Sequence, residues 1–137
     1  MKKLILNISL LLIVMIFCGG CTSSISQIDL TGVWGGKHIG ILVSDSSTTL
    51  EYDCAHGTID EPIIPDDDGS FEVSGVHVIE HGGAIRIDEV LDEHPALYKG
   101  HIAGNKMTLV LVLTDTETEI DTFLLTRGVD PMIYKCL

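Results

Sequence analysis

The feature that most constrains this chain is its division, beyond residue 28, into short apolar runs of strand-like period. HIGILV (His38–Val43) puts Ile39, Ile41 and Val43 on one parity, and TLEYDC sets Leu50, Tyr52 and Cys54 against Glu51 and Asp53. A two-residue alternation of this length marks a strand with one buried face. FEVSGVHVIE places Phe71, Val73, His77 and Ile79 on one face, and AIRID, ALYKGHIAG, KMTLVLVL and IDTFLLTRG continue the series. Asp68-Gly69 and Gly104-Asn105 are hairpin cues. No segment keeps a helical period over a useful length, although DEVLDEH has room for one helical turn and PMIYKCL for a terminal turn or strand. About eight short strands at regular spacing favour an antiparallel barrel or sandwich over a parallel sheet. The expectation is therefore an all-β fold, a small up-and-down antiparallel barrel of about eight strands. Neither an internal repeat nor an interior linker divides it, so residues 29–137 are expected to form a single domain.

The N-terminal segment has a different composition. Lys2 and Lys3 precede an apolar run from Leu4 to Phe17, which has the length of a signal-peptide core and is shorter than the roughly 18–20 residues of a bilayer span. Cys18-Gly19-Gly20-Cys21 resembles a bacterial lipobox, with Cys18 at the position where Leu is usual. That resemblance implies a signal peptide over residues 1–20, lipid attachment at Cys21, and a polar tether over 21–28. It places the domain in the bacterial cell envelope, exported and held to a membrane by N-terminal acyl chains.

Processing of this kind decides the cysteines. Cys18 leaves with the signal peptide and Cys21 carries lipid, so Cys54 and Cys136 remain in an oxidising compartment and are expected to pair. The alternative is a free thiol at Cys54 beside His56, a reactive pair in the stretch DCAHGTID.

The formal net charge of −12 becomes −14 once Lys2 and Lys3 are removed, six Lys/Arg then facing twenty Asp/Glu. Such a surface repels nucleic-acid phosphates and anionic head groups. Nucleic acid is thereby excluded as a partner, and a basic protein is admitted.

Two further resemblances bear on fold. DLTGVWGG looks like the opening of calycin-type barrels such as lipocalins, in which a G-x-W begins the first strand. This implies a structural pair at the barrel base, Trp34 packed against Arg127 of the last strand. The segments GVWGGKHI, DCAHGTID, EHGGAIR, HPALYKG and KCL together resemble a group of small exported bacterial proteins of unassigned activity. That likeness implies an exported β-barrel and carries no activity with it.

Candidate chemistry centres on histidine. His77 and His81 have zinc-like spacing only on a helix; on a strand at about 3.3 Å per residue they stand about 13 Å apart. His56, His77, His81 and His94 are the candidate ligand or metal contacts, and His77, by parity, points into the barrel. TGVWGGKH is not a phosphate loop, because its first glycine is misplaced and His38 stands where Ser or Thr would hold magnesium. PDDDGSFEV lacks the closing glutamate of a calcium loop, and no G-x-S-x-G elbow occurs. No catalytic residue, metal site or cofactor is assigned. The leading expectation is a non-enzymatic binding barrel, which requires a cavity for a small ligand. The alternatives are an acidic module that inhibits or scavenges a basic envelope enzyme, and a hydrolase or metal enzyme built on those histidines.

Overall fold

The computed structural model describes residues 28–84 and 86–136. The expected signal segment over residues 1–20, Cys21, and the expected tether up to residue 27 lie outside them. Eight strands run in chain order: β1 Gly32–Gly36, β2 Ile39–Val43, β3 Thr48–Tyr52, β4 Ala55–Ile59, β5 Ser70–Ile79, β6 Asp92–Ala103, β7 Lys106–Leu113 and β8 Thr118–Arg127. Each pairs antiparallel with the next, and β8 returns to β1 to close the barrel. Among the described residues there is no helix. The fold is all-β, an eight-stranded antiparallel barrel carrying one disulfide, Cys54–Cys136.

The sequence reading and the strands differ in three places. AHGTI, within the stretch that looked most chemical, is β4. The helical turn expected in DEVLDEH is absent, because Asp92, Glu93 and His94 open β6 against Ile79, Val78 and His77. Of AIRID, read as a strand, the described residues 84 and 86–88 lie between β5 and β6 without a strand, with Ile87 fully exposed. Asp68-Gly69 does turn the chain, at the end of a ten-residue connection, longer than a tight hairpin turn, between the paired strands β4 and β5.

An eight-stranded barrel has an interior that side chains can just fill. Trp34, Ile39, Leu50, Tyr98, Met107, Leu109, Leu111 and Leu125 fill most of it. Tyr98 crosses the middle and donates from its hydroxyl to the Val76 carbonyl at 2.9 Å. It fits because its neighbours on the inner face are Gly57 and Gly75: a Cβ at Gly75 would lie 2.8 Å from the Tyr98 ring. One end is plugged by Trp34, whose indole nitrogen donates to the Leu30 carbonyl at 2.9 Å. Arg127 lies over that indole, 5.6 Å from the ring centroid, and its Nη1 and Nη2 donate to the carbonyls of Asp29 and Thr31 at 3.0 and 2.6 Å.

After Gly128 the chain becomes a strap across the outside of β1 and β2. Pro131 passes over Gly40, and the Val129–Pro131 backbone passes over Gly35. The His38 amide donates to the Met132 carbonyl, and the Met132 amide to Gly36. Side chains at Gly35 or Gly40 would occupy that path. Cys136 then joins Cys54 in the β3–β4 turn, with Cα atoms 4.9 Å apart, inside the range of about 4.4–6.8 Å that a disulfide requires.

Candidate functional site

The end opposite Trp34 is formed by the β1–β2, β3–β4, β5–β6 and β7–β8 connections. It holds a cavity of about 380 Å³ lined by His38, Tyr52, Asp53, Ala55, His77, Leu111, Ile120, Asp121 and Phe123. The strand period supplies its floor. Tyr52 follows Leu50 on the inner face of β3, His77 follows Phe71 and Val73 on β5, and Phe123 precedes Leu125 on β8. The rings of His77 and Phe123 each stand 5.3 Å from that of Tyr52.

A β-bulge shapes the rim. Asp121 pairs with the inward Leu111, while the next residue of β7, Val112, pairs with Glu119 and leaves Ile120 as the extra residue. Bulges of this kind re-aim side chains beside functional sites, and here Ile120 and Asp121 both line the cavity.

Two polar groups of the floor are buried without a protein partner. Tyr52 and His77 are each 4 % exposed, and neither the Tyr52 hydroxyl nor His77 Nδ1 finds a hydrogen bond among the described residues. Unmet buried polar groups cost about 1–3 kcal/mol each, so native structures keep few of them. Thr48 Oγ1 is also unpaired, but it lies at the other end of β3 and lines no part of this cavity. Burial holds the His77 imidazole below the usual histidine pKa, assisted by His94 and His56 nearby, and keeps it neutral at pH 7. Burial likewise pushes the Tyr52 phenol well above the usual tyrosine range, and the neighbouring Tyr98 phenol, the polar group its hydroxyl approaches and one already committed to the Val76 carbonyl, raises it further. Tyr98 is pushed up to about 12 by burial.

The rim residues are differently engaged. His38 Nδ1 donates to Asp53 Oδ2 at 2.5 Å, and the Tyr134 amide donates to Asp53 Oδ1 at 2.7 Å. These bonds, the Tyr134 amide foremost, hold the Asp53 carboxyl below the usual carboxylate range. Asp121 Oδ1 accepts the Thr122 amide at 2.7 Å, and Asp121 forms no ion pair among the described residues.

Of the four histidines singled out in the sequence, His77 alone lines the cavity. His94 is its register partner on β6 and is held by Asp115 and Asp92, at 2.7 and 3.2 Å. His56 faces outward on β4 and meets Glu80 at 2.7 Å, in a surface network where Lys135 Nζ also reaches Glu80 and Glu51. His81 is exposed in the β5–β6 loop and pairs with Glu89. Among the described residues no three His, Cys, Asp or Glu side chains converge in a way that could hold a metal ion. Cys54 is bonded to Cys136, so it makes no reactive pair with His56. Tyr52, Phe123, Asp121 and His38 were not singled out in the sequence, although Asp121 shares the parity of Phe123 and Leu125. That placement of an acid on an inner face was the available signal.

The lining offers no Ser, Thr or Cys as a nucleophile, and His77 lacks the orienting carboxylate of an acid–base pair. A neutral imidazole and a neutral phenol beside an aromatic wall can bind a small molecule and direct hydrogen bonds to it. A second cavity, of about 430 Å³, lies at the Trp34 end beside Ile28, Leu30, Pro62 and Ile63. It is larger but contains no buried unpartnered polar group, and it borders Ile28, the first described residue. Comparisons with protein families, with curated proteins and with solved structures find no match to this chain.

Proposed function

We propose that this protein is an exported, lipid-anchored, non-enzymatic barrel that binds a small molecule at its mouth. The observation that carries the reading is the pair of buried, unpartnered groups, Tyr52 Oη and His77 Nδ1, on residues lining one cavity. Concave sites with an apolar wall and a few placed polar groups are where small ligands bind. Because Trp34, Tyr98 and Leu50 fill the barrel axis, the reading is of a mouth site and not of a deep carrier cavity. The N-terminal apolar run and Cys21 support export and anchorage.

The test is a fragment screen against isotope-labelled protein, read by amide and aromatic chemical shifts. Binders should move Tyr52, His77 and Phe123 together; a library whose hits leave all three unmoved would count against the site. The formal charge of −12 supports a second reading, capture of a basic protein. Pull-down along a salt series tests it, because steering by exposed charge fades as the Debye length shrinks.

A further inference from the structure

We infer that the mouth cavity selects small cationic ligands with an apolar body, amines of the arylalkylamine kind, with Asp121 as the charge partner. This rests on the binding reading above and adds the chemical class.

Charge is the first argument. The lining contains two carboxylates, Asp53 and Asp121, and neither Lys nor Arg. Asp53 is already satisfied, one oxygen by His38 and the other by the Tyr134 amide. Asp121 keeps one oxygen without a hydrogen-bond partner among the described residues and has no cation beside it. The nearest lysine of the strap, Lys135, is turned to the outer surface by Glu51 and Glu80. An anionic ligand would face two carboxylates with neither Lys nor Arg in the lining, whereas an ammonium would find a partner.

Shape is the second. Asp121, opposite the inward Leu111, stands at the rim beside the bulge residue Ile120, while Phe123, two residues on, lies in the floor against Tyr52. A ligand with its ring on Phe123 and Tyr52 has its amine toward the rim and its middle beside His77. Aromatic faces also attract cations in their own right. The neutral imidazole of His77 adds no opposing charge at pH 7, and its Nδ1 is available for one hydrogen bond.

The experiment compares three probes of matched body, 2-phenylethylamine, 2-phenylethanol and phenylacetate, by calorimetry and chemical shift. It uses the full chain in zwitterionic nanodiscs, with empty discs as the blank. The amine should bind roughly fivefold more tightly than the alcohol, the scale of one partly exposed ion pair, and phenylacetate most weakly. Asp121→Asn should level amine and alcohol by weakening the amine about fivefold relative to the alcohol. Glu119→Gln removes the same charge two residues away, outside the lining, and should leave the preference intact. Equal binding of all three probes with shifts at Tyr52, His77 and Phe123 would overturn the ligand class and keep the site. Binding of none, or shifts only elsewhere, would overturn both. An amine preference that survives Asp121→Asn, or that Glu119→Gln abolishes equally, would remove Asp121 from the role.

Discussion

Arg127 covers Trp34 with its guanidinium while two of its nitrogens cap the carbonyls of Asp29 and Thr31. The two residues are direct register partners across the β1–β8 seam, where the barrel closes through only three paired positions. Arg127 therefore ties the last strand, the first strand and the segment entering it at one point. Arg127→Ala should lower stability by about 1–3 kcal/mol through the lost cation–π contact and charged hydrogen bonds. Arg127→Lys keeps charge without the planar fork and should fall between the two. Urea denaturation checks this; a lysine variant as stable as the parent would mean the fork contributes nothing.

The Cys54–Cys136 bond spans 82 residues of sequence. On the chain-entropy account, replacing both cysteines by serine should cost roughly 4–5 kcal/mol. The strap should loosen first, so the amides of His38 and Met132, which bond across it, should exchange faster than those of β6 and β7. Uniform loss of protection across all four segments would show that the strap is not a separate unit.

Gly40 lies directly under Pro131, and a Cβ there would sit 2.7 Å from two of its ring carbons. Gly40→Val should force the strap away and destabilise by about 1–3 kcal/mol, the cost of overpacking. Exchange at the Met132 amide should quicken while the Tyr98 region stays protected. An unaltered Met132 amide would refute the packing account.

Much of this fold was legible in alternation. Leu50 with Tyr52, Phe71 with Val73, and Leu109 with Leu111 lie inside as the period required. β4 was muted because its inner positions are Ala55, Gly57 and Ile59, small where Tyr98 crosses the barrel, so the hydrophobic signal nearly vanishes. Ile79 keeps the inward parity expected of it, opposite Ala55, yet stands at the rim and is 42 % exposed. AIRID alternated without a partner strand, and a pattern alone cannot supply one. The site was less legible. His77 followed from parity and Asp121 shared the parity of Phe123, but Ile120 reached the rim through a bulge, and the engagement of His56, His81 and His94 with carboxylates depended on where each chain reversal fell.

His77 should also leave a mark on stability against pH. Its folded pKa is held below the ordinary 6.5 by burial, so between those values the unfolded chain binds a proton that the folded chain does not. Its contribution is complete above the unfolded pKa and is lost as pH falls below it toward the lowered folded value. His94 and His81 have the opposite sign. The Asp115 carboxylate chiefly raises His94, and the Gly82 carbonyl and Glu89 raise His81. What they add is present at low pH and lost as pH rises through their folded values. His77→Gln isolates the buried group: from about pH 7.5 to about 5.5 the parent should lose stability relative to the variant. Parallel changes in the two proteins would mean that His77 is not buried as a neutral ring.

The most direct test of the mouth site is a crystal structure with 2-phenylethylamine, refined beside one grown without it. The account predicts the ring against Phe123 and Tyr52, the amine at Asp121, and His77 Nδ1 within hydrogen-bond reach of a ligand atom or of a water the ligand holds. Ligand density at the Trp34 end alone, or none where Tyr52 and His77 line the cavity while solution binding persists, would contradict it.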